Sequence, residues 1–272
     1  MRMIWAVLVM VIAASAGPNP AIAGSARGGA GATAIQAPSD CTRDANVDSC
    51  WRAAVQAEKR GDAVAALAAY EASCAAGFQM GGCYEAGKIY FLNATLRDYG
   101  RSKARMVRVC QSDDVGIAPY ACKYLGIIYQ KGLSVKPQPG QAFSYLARSC
   151  FPNGEPFIDG GGCELLGNHV PDADAMEVAD DVWHPDYIAY LAFAMGCSDD
   201  MAAQCNQAKA LYRRAVAESA GWLARCAEDA DAVALGGCED MVGSASADDH
   251  EARQAFRLAM VRAFRRATDY AG

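Results

Sequence analysis

Ala121-Cys122-Lys123-Tyr124-Leu125-Gly126-Ile127-Ile128-Tyr129 is the stretch on which the fold of this chain turns. Two others follow the same grammar, Cys83-Tyr84-Glu85-Ala86-Gly87-Lys88-Ile89-Tyr90 and Cys163-Glu164-Leu165-Leu166-Gly167, with a glycine four positions after the cysteine each time. Glycine inside a helix costs about 1 kcal/mol relative to alanine, so its recurrence points to a neighbouring helix that comes too close for a side chain. Tyr90 and Tyr129, three residues further on, share that face and should fill the adjoining space. A second helix ends on the first cysteine of the following pair. It is read in Ala65 to Cys74, where Ala66, Ala69, Tyr70 and Ser73 fall at helical spacing, and again in Ala142 to Cys150.

Working outward, the twelve cysteines fall into six near pairs: Cys41 with Cys50, Cys74 with Cys83, Cys110 with Cys122, Cys150 with Cys163, Cys197 with Cys205, and Cys226 with Cys238. The stretches between pairs suit two short helices and a turn, and a unit that recurs every 30 to 45 residues or so is the signature of a solenoid. Alanine, leucine, tyrosine and methionine outweigh valine and isoleucine, which favours helices over strands. The expected fold is therefore all-α, an α/α solenoid of helical hairpins.

The unit from Ala121 to Cys150 carries Leu125-Gly126, Tyr129, Gly132, Val135, Ala142, Tyr145 and Ala147. This pattern closely resembles the Sel-1-like repeat, a relative of the tetratricopeptide repeat. With the cysteines added, it looks like the cysteine-rich, Hcp-type branch. The likeness is specific in this unit, good in the unit from Cys83 and partial elsewhere; on cysteine spacing it spans roughly residues 41 to 240. Cys163 to Cys197 departs most, because His169-Val170 stands where an aromatic is expected and an acidic insertion follows, and Cys205 to Cys226 is unusually short. The resemblance implies an adaptor or scaffold for protein complexes, with a bridge across each interhelix loop.

Two disulfide pairings suit an array of antiparallel helices. Pairing within hairpins, Cys50 to Cys74 and Cys83 to Cys110, would strand Cys41 and Cys238 at opposite ends. The short pairing leaves none over and agrees with the resemblance. Loops of this size contribute roughly 2.5 to 3 kcal/mol each in the chain-entropy model, and no Cys-x-x-Cys is present, so the cysteines read as structural rather than redox-active.

Arg2, the apolar stretch Met3 to Ala14 and the Ala21-Ile22-Ala23 step have the form of a signal peptide over residues 1–23. Ala14-Ser15-Ala16 offers a second cleavage point, and an uncleaved anchor is a third reading. Residues 24–40, rich in glycine, alanine, serine and proline, read as a flexible tether. Residues 41–247 should form five to six hairpins and 248–272 a C-terminal amphipathic helix. No later stretch is long and uncharged enough to span a bilayer, so the mature protein is expected to be soluble, in the periplasm or outside the cell.

Motifs for chemistry are sparse. His169, His184 and His250 form no His-Glu-x-x-His pattern, and Gly-x-Ser-x-Gly is missing. Some Hcp-type relatives are associated with β-lactam binding or hydrolysis, so that activity is the enzyme-class rival. Neither Ser-x-x-Lys nor Lys-Thr-Gly is present to build an acylation centre. Asp172, Asp174, Glu177, Asp180, Asp181 and Asp186 cluster near His169 and His184, but their spacing is not that of an EF-hand loop and a charge run is usually a solvated face. No metal or cofactor is expected. A net charge of −6 disfavours a nucleic-acid partner. The last helix, with Phe256, Ala259, Met260, Ala263, Phe264 and Ala267 on one side and Arg253, Arg257, Arg262, Arg265 and Arg266 around it, reads first as a cap on the core. Its second reading is docking to an anionic membrane or an acidic partner. In a stack of hairpins the first helices line the concave face, where Tyr84, Lys88, Lys123 and Tyr124 are expected either to bind a peptide or protein or simply to pack. A purely structural envelope protein is the remaining alternative.

Overall fold

Thirteen helices and no strand make up the residues that the computed structural model describes, which are 41, 47–76, 80–152, 157–170 and 184–268. The expected leader (1–23), the tether (24–40) and the acidic residues from Asp172 to Asp181 lie outside the described residues. The helices are α1 (Val47–Lys59), α2 (Ala63–Ala76), α3 (Met80–Leu92), α4 (Tyr99–Cys110), α5 (Ala118–Lys131), α6 (Pro139–Cys150), α7 (Gly160–His169), α8 (Pro185–Cys197), α9 (Ala202–Glu218), α10 (Trp222–Glu228), α11 (Ala230–Ala234), α12 (Met241–Ala245) and α13 (His250–Thr268). From α1 to α9 each helix packs on the next, so α1/α2, α3/α4, α5/α6 and α7/α8 are hairpins and every second helix also touches the first helix of the following unit. The chain is an all-α solenoid of stapled hairpins.

The recurrent glycines sit where the two helices of a hairpin meet. A Cβ on Gly87 would come within 2.8 Å of Met106 Cε on α4, and one on Gly167 within 2.7 Å of the Phe193 ring on α8. One on Gly126 would overlap Leu146 of α6. The neighbouring tyrosines fill the space beside these contacts: Tyr90 is buried and accepts a hydrogen bond from Arg101 (3.2 Å), while Tyr129 stacks on Tyr145 at 5.4 Å. Turns close both hairpins in the same way. Asp98 N–H donates to the Tyr90 carbonyl and Gln138 N–H to the Tyr129 carbonyl, each at 2.9 Å, one residue before the second helix begins. Asp98 also caps α4 by accepting from Arg101 N–H, and α5 stops at Gly132, whose φ of +67° is left-handed and disfavours a Cβ.

Disulfides fix one hairpin to the next. The six bridges are Cys41–Cys50, Cys74–Cys83, Cys110–Cys122, Cys150–Cys163, Cys197–Cys205 and Cys226–Cys238, which is the short pairing, and no cysteine is left free. The positions just before the bridged cysteines also meet. A Cβ on Gly82 would lie 2.7 Å from Ser73 Oγ, and Gly162 faces Ser149 in the same way two bridges later. Arginines two residues before a cysteine tie successive second helices together: Arg108 donates to the Cys74 carbonyl (3.0 Å) and Arg148 to the Cys110 carbonyl (3.2 Å). Each guanidinium thus satisfies an orphan carbonyl at a helix C-terminus and offsets its dipole. Arg105 adds a two-pronged ion pair to Glu71 of α2 at 2.6 Å.

Beyond α7 the packing changes character. Every residue of α8 from Tyr187 to Cys197 is buried, so this helix is apolar all round and becomes the axis of the C-terminal half. It is surrounded by α7, α9, α12 and α13. The short Cys205 to Cys226 interval is filled by a single 17-residue helix and a turn, which leaves no room for another full hairpin. Three short helices, α10 to α12, complete the layer instead. Phe256, Met260, Ala263, Phe264 and Ala267 of α13 are buried against this core, and Phe264 stacks on Phe151 at 3.9 Å.

Six disulfides place the chain in an oxidising compartment. Among the described residues, no helix is long and apolar enough to cross a membrane.

Candidate functional site

Tyr84, Lys88 and Phe91 lie at helical spacing on one face of α3, and Tyr120, Lys123 and Tyr124 do the same on α5. Because α3 and α5 are first helices of adjacent hairpins, these two faces adjoin. The four residues expected to point to a common surface, Tyr84, Lys88, Lys123 and Tyr124, are brought together with aromatic rings from both sides. Phe91 packs edge-on against Tyr124 at 4.9 Å and against Tyr99 at 5.4 Å. Tyr84 lies 6.3 Å from Tyr124 and 6.4 Å from Tyr120, and Tyr120 continues to Phe157 at 5.7 Å. The result is a ladder of six rings running from the start of α4 across α3 and α5 to the loop before α7. Phe157 is exposed and the other five rings are half-buried.

Both lysines are held in the ladder. The Lys88 ammonium sits 5.3 Å from the Tyr84 ring centre and pairs with Glu85 at 2.8 Å. That of Lys123 lies between Tyr120 (5.6 Å) and Tyr124 (5.8 Å) and pairs with Asp159 at 2.7 Å. Asp159 is nearly buried, and its carboxylate also accepts the Gly161 N–H (3.0 Å) as the N-cap of α7. One carboxylate therefore fixes both the Lys123 side chain and the entry to the next hairpin.

The tyrosine hydroxyls are kept protonated. Burial pushes the Tyr84 hydroxyl well above the ordinary tyrosine value, and the neighbouring Tyr124, Glu85, Asp159 and Tyr120 add to the shift. Burial is also the main cause for Tyr124 and Tyr120, with Asp159 next in each case. None of the three hydroxyls has a hydrogen-bond partner among the described residues, and none is sealed from solvent.

Phe91, Tyr99, Tyr120, Phe157, Glu85 and Asp159 complete the surface. Phe91, seven positions after Tyr84, and Tyr120, four before Tyr124, could have been found by helical spacing alone. Tyr99, Phe157 and Asp159 belong to connections or helix starts whose path only the packed hairpins define.

The three histidines and Asp186, which the sequence also singled out, make local contacts. The His169 ring is buried between Gln130 (3.3 Å) and the Pro139 carbonyl (3.1 Å). His184 stands at the N-cap position of α8, His250 contacts Gln254 at 3.1 Å, and Asp186 pairs with Arg214 at 2.9 Å. Among the described residues, no group of three histidine, cysteine or acidic side chains is placed to hold a metal ion.

Four arginines of α13 pair with groups on neighbouring turns of the protein, two of them while remaining exposed. Arg253 pairs with Asp200 (3.0 Å), Arg257 donates to the Ser198 carbonyl (2.6 Å), Arg262 pairs with Asp231 (3.1 Å) and Arg266 with Asp229 (2.6 Å). Two turns of the C-terminal half, at 198–200 and 229–231, are thereby clamped to the last helix.

A cleft between α7, α8 and α9 is lined, among the described residues, by Asn168, Phe193, Gln207, Leu211 and the Asp186–Arg214 pair. The aromatic ladder is the surface, among the described residues, that carries the most side chains expected from the sequence to bind a partner. No protein-family model, curated protein or solved structure matches the chain.

Proposed function

We propose that the protein is an exported adaptor of the Sel-1-like, cysteine-rich type that docks a protein or peptide partner on the face formed by α3, α5 and the loop before α7. The observation that carries this reading is the convergence of Tyr84, Lys88, Lys123 and Tyr124 with four more aromatic rings on one half-exposed surface. Tyrosine-rich patches with a few rigidly held charges are the usual composition of binding surfaces. Their rings supply large contact area at low entropic cost, and their hydroxyls supply direction. The close helix approaches at Gly87, Gly126 and Gly167 support the Sel-1-like assignment, because they recur at the position that the repeat pattern requires.

Export supports the same reading. Six disulfides suit an oxidising compartment, and the stretch from Arg2 to Ala23 has the form of a signal peptide; both support a mature chain in the periplasm or outside the cell.

The test is site-specific photo-crosslinking in the native host. A photoreactive phenylalanine analogue replaces Tyr124 in one variant and Val64, an exposed residue of α2, in another. A discrete, saturable adduct from position 124 but not from 64 is expected. Equal labelling from both positions, or none from either, would overturn the docking surface and favour a purely structural role.

A further inference from the structure

Charge is divided along the chain. Residues 47–150, which hold α1 to α6, carry thirteen lysines and arginines against eight acidic residues, whereas residues 160–268, which hold α7 to α13, carry nine against eighteen. Soluble surfaces ordinarily intersperse the two signs. Here the surplus of each sign gathers at its own place on the surface.

The basic surplus lies along the hairpin turns. Because α1, α3 and α5 run one way and α2, α4 and α6 the other, the turns at 60–62, 93–98 and 132–138 share one edge of the solenoid. Lys59, Arg60, Arg97, Lys131 and Lys136 are exposed on that edge, and none has an ion pair among the described residues. Three acids share the edge, Glu58, Asp62 and Asp98, and Asp98 already pairs with Arg101 at 3.5 Å. Local folding does not account for all of these cations. Lys59 and Lys131 end α1 and α5, where a cation offsets the helix dipole, but Arg97 and Lys136 stand just before the N-termini of α4 and α6, where the dipole disfavours one.

The acidic surplus lies around the start of α13. Glu239, Asp240, Asp248, Asp249 and Glu251 are exposed and likewise have no ion pair among the described residues. Only the five-residue α12 and two residues after it separate the first two acids from the rest. Asp249 has a local role, accepting the Glu251 N–H at 2.9 Å. The acids at 199–200 and 229–231 are answered by arginines of α13, so the charge left over concentrates on this patch.

We infer that the basic hairpin edge of one molecule docks on the acidic patch at the start of α13 of a second copy of this chain. A second copy answers both patches. An anionic membrane would attract the edge but repel the acidic half, and a basic partner on the patch would leave the edge unanswered. The two patches differ, so the contact is head-to-tail, and each added molecule presents a new edge and a new patch. Exposed ion pairs are individually weak and are screened by salt, which makes the assembly depend on both concentration and ionic strength.

The experiment is sedimentation of the purified full chain over a range of concentrations, at about 0.01 M salt, where charges act over about 30 Å, and at about 1 M, where they act over about 3 Å. One variant carries Lys59→Glu, Arg97→Glu and Lys136→Glu; a second carries Asp240→Lys, Asp248→Lys and Glu251→Lys. A control with Arg52→Glu, Lys209→Glu and Arg213→Glu changes net charge by as much as the first variant, at exposed positions off the edge. Thermal unfolding shows that each variant is folded.

The expected result is an average mass that grows with concentration at low salt and returns to the monomer at high salt. Association of either variant alone should weaken about tenfold or more, the control should keep it, and mixing the two variants should restore it. A chain that stays monomeric at low salt overturns the inference, as does association that survives high salt. Loss of association in the control, or failure of the mixture to restore it, rules out the pairing of these two patches. Sedimentation of a monomer with phosphatidylglycerol vesicles, abolished in the first variant, would assign the edge to a membrane instead.

Discussion

Gly126 has Leu146 where its Cβ would be, whereas Gly140, exposed in the first turn of α6, has nothing within 4 Å. Gly126→Ala should therefore destabilise the protein by about 1 to 3 kcal/mol through overpacking. Gly140→Ala should stabilise it by roughly 0.5 to 1 kcal/mol by restricting the unfolded chain. Paired urea melts check both signs. The recurrent glycines were legible in the sequence because glycine contradicts helix propensity, and only a close neighbour accounts for it. Ser73 against Gly82 was not legible, since a serine and a glycine near a turn satisfy many local conformations equally well. At the site, Lys123 illustrates what one residue can hold. Lys123→Met leaves the nearly buried Asp159 without its ion partner and should cost about 1 to 3 kcal/mol, with the loss appearing in the same unfolding transition.

At the scale of elements, Arg108 and Arg148 act between second helices rather than within a hairpin. Replacing either with glutamine removes a charged donor from a helix-terminal carbonyl. Each change should lower stability by about 1 to 2 kcal/mol, and because both contacts end on the last turn of α4, at Arg108 and Cys110, the double variant should depart from additivity. Denaturant midpoints of the two single variants and the double variant test this. The hairpins from α3 to α6 could be read directly from Tyr90, Tyr129 and the cysteines. The C-terminal half could not. α8 carries no period because all its sides are buried, and α10 to α12 are too short for a hydrophobic pattern to emerge over noise. The amphipathic stripe of α13 was plain, but whether its arginines faced a membrane or the protein depended on where Asp199, Asp200, Asp229 and Asp231 came to lie. Phe264→Ala should cost about 3 to 5 kcal/mol, since its ring is buried on Phe151, and should expose amides of α8 and α13 to hydrogen exchange before those of α1 to α4.

Taken whole, the molecule combines local staples with a core that grows by addition of units. Tyr70, Tyr187 and Tyr190 show how that core responds to pH. Burial raises all three hydroxyls far above 10.0, their ordinary value. In the unfolded chain they ionise near that value, so their contribution to stability is complete below it. As pH rises further the contribution falls, until the folded-state hydroxyls themselves ionise. Stability should hold through neutral pH and decline from about pH 10 upward, in step with tyrosinate absorbance. The cysteines made the bridge pairing legible from Cys41 to Cys238, even where the helices of the C-terminal half could not be read. Much of the account rests on them, because the same register that closes each turn brings α3 beside α5 and assembles the aromatic ladder. Non-reducing peptide mapping of the purified protein tests that register most directly. The account predicts bridges joining Cys41 to Cys50, Cys74 to Cys83, Cys110 to Cys122, Cys150 to Cys163, Cys197 to Cys205 and Cys226 to Cys238, with no free thiol. Bridges between distant units, or thiols that react with an alkylating agent before reduction, would contradict it.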